Sequence, residues 1–224
     1  MAGVDAGTAC WPVQNGGPAV WPSGSALIAG LILAGGGARR LGGVDKPLLA
    51  LGSSTILAHI IAALGLEQIA ISANGDAPRF ADYGLPVLDD GPFAGEGPLA
   101  GILAGLDWSF TIGATALLSV PGDTPFLPPA LAVSLSPPPT CAATGDRIHH
   151  LVALWPVSAR ITLRDHLSRP GARHVARFAA TIGMRQVDFP PSTWDSFLNV
   201  NTPSDLEIAR SRVIGAESGD QASG

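Results

Sequence analysis

Cysteine, charge and long apolar runs are all scarce in this chain. Its 224 residues include only two cysteines, Cys10 and Cys141. The pair fits neither a metal-binding spacing nor a disulfide framework, and reads as two free thiols in a reducing compartment. No run approaches the roughly 18 apolar residues that a membrane helix needs. The first residues carry no basic stretch ahead of an apolar one, so no Sec-type signal is expected. The expected setting is the cytoplasm, without membrane contact. Charged residues make up only 14% of the chain, with a net charge of −5. That balance excludes non-specific nucleic-acid binding, because phosphate backbones select basic surfaces. A nucleotide would have to be met by a local cationic pocket in an acidic protein. There is no internal repeat and no convincing Ser-His-Asp or Cys-His nucleophile. His149-His150 read as structural.

Hydrophobic residues, by contrast, reach 46%, and glycines number 28. The glycines concentrate where they are most informative. Leu27 to Leu33 is an apolar run that reads as a buried strand. The segment 33–46 then carries five glycines and three cations. Glycine lets backbone N–H groups approach an anion with no Cβ in the way. Arg40 and Lys46 add charge and donors that match phosphate oxygens. The segment is neither of the two common phosphate loops. It lacks the Gly-Lys-Ser/Thr ending of a P-loop. Arg40 stands where the last glycine of a dinucleotide fingerprint belongs.

Strand-like and helix-like segments alternate through the rest. Residues 1–25, rich in Gly, Pro, Ala and Ser, read as a flexible extension, and 214–224 as a disordered tail. The single domain expected between them is 26–213. Its helices are expected over 56–64 behind Ser53, Ser54 or Thr55 as cap, over 99–108 behind Gly97-Pro98, and over 158–167, 172–182 and 203–212. Strands are expected over 27–33, 68–72, 87–88, 114–120, 152–155 and 197–199. Such alternation implies an α/β fold, a mostly parallel sheet covered on both faces. Ligands in these sheets bind beyond the carboxyl ends of the strands. The glycine loop, Asn74, Asp89-Asp90, Asp123 and Asn199 each follow a strand and should share that edge.

Two further motifs stand at the same edge. Asp123 ends an apolar strand in Pro121-Gly122-Asp123-Thr124-Pro125. A carboxylate there suits a divalent cation, since magnesium takes one or two carboxylates plus phosphate oxygens; ordinary turn composition explains it equally well. In Asn199-Val200-Asn201-Thr202-Pro203, Thr202 reads as a helix cap. The asparagines flanking Val200 point to one face of an extended backbone and offer paired donors and acceptors to a polar heterocycle.

Leu33-Ala34-Gly35-Gly36, Arg40, Gly42-Gly43 and Asp45-Lys46 resemble the signature loop of nucleotidyltransferases. With Gly97-Pro98-Leu99-Ala100-Gly101, Asp123-Thr124-Pro125 and Asn199 to Pro203 in the same order, the chain resembles the molybdenum cofactor guanylyltransferases from about Leu31 to Leu206. The resemblance implies a three-layer α/β/α Rossmann-like nucleotidyltransferase fold. It implies transfer of GMP from GTP to molybdenum-molybdopterin, giving a dinucleotide cofactor and pyrophosphate. Leu33, Ala34, Gly35 and Gly36 would lie against the nucleotide, with Ser72, Asn74 and Asp90 at its nucleoside. Arg40 and Lys46 would meet phosphates, and Asp123 would hold Mg2+, or Mn2+ in its place. Gly97 and Gly101 would shape the substrate pocket, and Asn199 and Asn201, with Arg173, would form the pterin side in the C-terminal half. Molybdoenzymes or their chaperones would receive the product. Cytidylyl transfer to the same pterin is the nearest alternative; relatives of that kind tend to carry alanine in place of Gly35. A non-catalytic pterin carrier is another, and a sugar-phosphate nucleotidyltransferase is disfavoured by the Asn199 to Pro203 motif.

Overall fold

A computed structural model describes residues 27–35, 45–169, 171, 173–190 and 195–220. The proposed extension 1–25, Gly36 and Arg40 of the glycine loop, and 221–224 lie outside the described residues.

The expected first strand forms as β1 (Ile28–Leu33). Its apolar run alternates between two cores, as a strand covered on both faces requires. Ile32 packs on one side; Ala29 and Leu31 pack on the other. After the glycine loop, a short 3-10 turn over Lys46–Leu48 leads into a small hairpin, β2 (Ala50–Leu51) and β3 (Ser54–Thr55). Thr55 then caps α1 (Ile56–Leu64), its hydroxyl accepting from the Ala58 N–H at 3.2 Å. β4 (Ile69–Ser72) and β5 (Val87–Leu88) flank a 3-10 segment over Ala77–Tyr83. Pro98 opens α2 (Pro98–Thr111), and β6 (Ala116–Pro121) follows. The remaining elements are α3 (Leu131–Ser134), β7 (Thr140–Thr144), β8 (Arg147–Pro156), α4 (Ala159–Leu167), α5 (Val175–Thr181), β9 (Arg185–Asp188) and α6 (Pro203–Asp220).

The main sheet has seven strands in the order β5-β4-β1-β6-β8-β7-β9. Only β8 pairs antiparallel with its neighbours, β6 and β7; every other pairing is parallel. Helices α1 and α6 supply Leu57, Ile60, Ala209 and Val213 to one face, beneath Ile71, Leu118 and Val120. Helices α2, α4 and α5 supply Leu103, Leu106, Leu163 and Phe178 to the other, against Leu117 and Trp155. The fold is therefore the expected three-layer α/β/α arrangement. A polar group inside it is satisfied: the Trp155 indole N–H donates to Ser119 Oγ at 2.8 Å, which donates to the Leu151 carbonyl at 2.7 Å. No helix among the described residues is long and apolar enough to cross a membrane.

Several elements differ from expectation. β7 and β9 were not expected, and β8 starts five residues before the expected 152. Residues 197–199 form no strand. The turn around Asp195 takes up the N–H groups of Phe197 and Leu198 locally. Its carboxylate accepts from Phe197 N at 2.8 Å and its carbonyl from Leu198 N at 3.3 Å. The last helix runs to Asp220, beyond the expected 212 and into the stretch read as tail.

Candidate active site at the carboxyl edge of the sheet

The parallel strands β4, β5, β1 and β6 all end at one edge, where their backbones are laced together. Ala34 N donates to Ser72 O at 2.9 Å, Ala73 N to Leu88 O at 2.9 Å, and Gly122 N to Leu33 O at 3.0 Å. Gly122 allows this approach. A Cβ there would lie 3.0 Å from the Leu33 carbonyl oxygen and 3.3 Å from Ala34 Cα. Leu33 is half-buried and Ala34 buried, while Gly35 emerges exposed at the edge.

Beyond β6, Asp123 meets two partners from distant parts of the chain. Lys46, carried by the turn after the glycine loop, places Nζ 4.0 Å from Asp123 Oδ2 and donates to Asn201 Oδ1 at 2.6 Å. The loop ahead of α6 is fastened to the same strand end, because Val200 N donates to the Asp123 carbonyl at 2.8 Å. Val200 and Phe197 are fully buried and anchor the loop. Asn199 Oδ1 accepts from the Thr124 hydroxyl at 2.8 Å. Val200 is thus inside, while the Asn199 side chain is bonded to Thr124, next to Asp123, and that of Asn201 to Lys46. Asp205 fixes the start of α6. Its Oδ2 accepts from Asn201 N at 3.0 Å and Thr202 N at 2.8 Å, while Thr202 Oγ1 accepts from Asp205 N at 3.2 Å. This reciprocal cap, with Thr202 contributing most, holds the Asp205 carboxyl below the usual range. Burial pushes the Asp123 carboxyl up, against the nearby Lys46 charge, which pulls it down.

Beyond β4 and β5, Asn74 and Asp90 come together. Asn74 Nδ2 donates to Asp90 Oδ2 at 2.6 Å, and Asn74 Oδ1 accepts from Asp90 N at 3.0 Å. Asp89 is a turn residue, its Oδ1 accepting from Gly91 N at 2.7 Å. Gly97, at φ 79°, opens α2 at this edge. Arg173 is taken up by Glu96 just before it, through Nε at 2.9 Å and a second guanidinium nitrogen at 3.3 Å. That pairing holds the Glu96 carboxyl below its usual range.

Two of the expected site residues face elsewhere. Ser72 is buried, and a Cβ on Gly101 would lie 2.2 Å from its Oγ. The two are packing partners where α2 crosses the end of β4, which the sequence pattern does not distinguish from a pocket lining. The residues that sequence reasoning missed are Thr124, Gly122, Glu96, Asp45 and Arg79. The first two stood inside a recognised motif with no role attached. The side-chain partners of Glu96 and Arg79 come from remote positions that no local pattern marks.

Residues 30–185 match the family model for the MobA-like NTP transferase domain. The molybdenum cofactor guanylyltransferase of Acidiphilium cryptum is 53% identical over 190 residues, covering 84% of this chain and 96% of that protein. The corresponding protein of Cereibacter sphaeroides is 47% identical over 191 residues, covering 82% and 96%. Among solved structures, molybdopterin-guanine dinucleotide biosynthesis protein A from Archaeoglobus fulgidus superposes with a TM-score of 0.66 at 22% identity, covering 84% of this chain and 99% of that one. A nucleotidyl transferase from Methanothermobacter thermautotroptrophicus gives 0.68 at 18% identity, over 86% and 100%. These structures bear on the fold. Family-model match, sequence identity and near-complete coverage agree that the chain belongs to the MobA-like nucleotidyltransferases and, among them, to the molybdenum cofactor guanylyltransferase family.

Proposed function

We propose that this protein transfers GMP from GTP to the terminal phosphate of molybdenum-molybdopterin in the cytoplasm, and passes the dinucleotide cofactor to molybdoenzymes or their chaperones. The observation that carries the reading is the convergence of Lys46, Asp123 and Asn201 beside the Leu33–Gly35 backbone. An oxygen of the acceptor phosphate attacks the α-phosphorus of GTP. The bond from that phosphorus to the bridging oxygen breaks, and pyrophosphate leaves. The acceptor is already ionised, so no general base is required. What the site must supply is positioning and positive charge among anions. Lys46, with Arg40, provides the protein's share. Asn74, Asp90 and the backbone of 33–36 take the nucleoside. Gly97, Arg173, Asn199 and Asn201 take the pterin side.

The residues fit a divalent cation of the Mg2+ or Mn2+ type. Asp123 is a half-buried carboxylate whose ionised form is disfavoured by burial until a cation arrives. No cluster of three or more His, Cys, Asp or Glu suited to a metal occurs among the described residues. Asp123 would supply a carboxylate and the substrate's phosphate oxygens the rest, as magnesium prefers. Bound there, the cation would neutralise charge on the triphosphate.

The test is calorimetric binding of GTP and CTP with Mg2+, paired with an assay of pyrophosphate release on adding molybdenum-molybdopterin. GTP should bind at least about tenfold more tightly, a difference of roughly 1.4 kcal/mol, and release pyrophosphate. Equal or CTP-preferring binding overturns the guanine assignment, and binding without pyrophosphate release points to a carrier.

A further inference from the structure

Arg79 lies in the 3-10 segment between β4 and β5, outside every motif of the chain. Its side chain is only 17% exposed. Its two terminal nitrogens make hydrogen bonds, whereas Nε, buried, makes an ion-pair contact without hydrogen-bond geometry. Nε lies 2.9 Å from Asp45 Oδ2. One terminal nitrogen donates to the Asp76 carbonyl, and the other to the Asn74 carbonyl at 3.3 Å. The face rests on the Phe80 ring, 4.5 Å from its centroid, and Phe80 is fully buried. A cation held on all sides in this way is poorly placed to take a ligand phosphate itself.

What it joins is more informative. Asp45 immediately precedes Lys46, whose Nζ reaches Asn201 and Asp123. Asn74 holds Asp90 through two hydrogen bonds. The contacts form one chain, from Asp123 and Asn201 through Lys46, Asp45 and Arg79 to Asn74 and Asp90. Its ends are the two halves of the candidate site, which the sheet alone separates by the width of β1 and β4.

We propose that Arg79 is a positioning residue that pins the exit of the glycine loop to the end of β4, so that Lys46 and the Asn74–Asp90 pair are set at a fixed separation matched to one nucleoside triphosphate. The proposal rests on the nucleotide roles assigned above to Lys46 and Asp90. Its predicted signature is energetic coupling between Arg79 and Asp45 in nucleotide use.

The experiment is a double-mutant cycle with the full chain, reading kcat/KM for GTP alongside melting temperature. Arg79→Ala and Asp45→Asn should each lower kcat/KM by roughly 10- to 100-fold, the scale of a misplaced catalytic group. The double variant should be no worse than the poorer single, because both remove one bridge. Arg79→Lys, which keeps the ion pair but not the fork onto the two carbonyls, should recover part of the loss. Arg79→Gln, which removes the charge that pairs with Asp45 while keeping most of the side chain, replaces Arg79→Ala in the cycle where the alanine variant fails to fold. Multiplicative losses, or lower melting temperatures with kcat/KM unchanged, overturn the proposal. If the wild type uses CTP and not GTP, the guanine assignment falls, while the same cycle run with CTP still decides the bridge.

Discussion

Asp123 owes its properties to its position. It follows a strand buried in all but its last residue, its backbone carbonyl is committed to Val200, and its carboxylate faces Lys46 at 4.0 Å. Burial raises its pKa, so its folded value lies above its unfolded one. Whatever stability this linkage gives is present at low pH and lost as pH rises through the folded value. At neutral pH the ionised carboxylate is thus a cost to the fold. Asp123→Asn should therefore leave the melting temperature at pH 7 equal or higher while lowering kcat/KM by on the order of 100- to 1,000-fold, as for loss of one preorganised electrostatic contact. The acid limb of the wild-type activity profile should begin above the ordinary carboxylate range and move to lower pH as Mg2+ is raised. A variant that loses stability in step with activity, or an acid limb indifferent to Mg2+, would refute the assignment. This residue was legible because strand-end position and residue type coincide in a recognised motif. The packing of Ser72 against Gly101 was not legible, for the opposite reason. Both sit at the same edge, but which way a side chain faces there depends on how α2 lies across β4.

Helix α2 shows how glycine placement sets a layer. It carries its apolar face against β1 and β6 and approaches closely at Gly101 and Gly105. A Cβ at Gly105 would meet Leu31 Cδ2 at 2.6 Å and Leu117 Cδ2 at 2.9 Å; one at Gly101 would meet Ser72 Oγ at 2.2 Å. Alanine gains about 1 kcal/mol over glycine in a helix interior, but overpacking typically costs 1–3 kcal/mol, roughly. Gly101→Ala should be destabilising on balance. Adding Ser72→Ala, which removes the clashing oxygen, should recover most of the loss in a denaturant melt; additive losses would show that Gly101 is not held by Ser72. The elements read best from sequence were those with continuous apolar runs or clear caps, such as β1, β6 and α1. β7 and β9 escaped for physical reasons. β9, Arg185–Asp188, has no buried residue and lies at the sheet edge, so it lacks an apolar signature. β7 is short and rich in alanine, and its link to β8 is the two-residue turn Gly145-Asp146, with Gly145 at φ 54°. That turn is the local signal for a hairpin that could have been used.

The molecule as a whole joins its two halves through the segment after β9. Phe197 belongs to the core shared with α1 and α6, and it also lies against the β7–β8 hairpin through His149, with ring centroids 4.6 Å apart. His149 shares a hydrogen bond with the Thr144 hydroxyl at 2.8 Å. Burial depresses its pKa, Arg147 nearby adds to this, and Asp195 opposes it. The neutral ring is therefore the form the fold accepts. Above about pH 6.5, the ordinary histidine value, folded and unfolded states are both neutral and full stability is retained. As pH falls through that value toward the lowered folded one, the unfolded chain takes up the proton first and stability drops. The loop bearing Asn199 and Asn201 leans on this contact, so acidification should loosen that loop before the Asn74–Asp90 pair. His149→Gln keeps a hydrogen-bonding group for Thr144 and removes the titration. Between about pH 7.5 and about pH 5.5, the wild-type melting temperature should fall further than that of the variant, by on the order of 2 °C for a chain of this size. Hydrogen exchange over 195–201 should quicken on acidification in the wild type and not in His149→Gln. Parallel melting curves in the two proteins would remove His149 as the source of acid sensitivity and leave the Phe197 contact a purely apolar one.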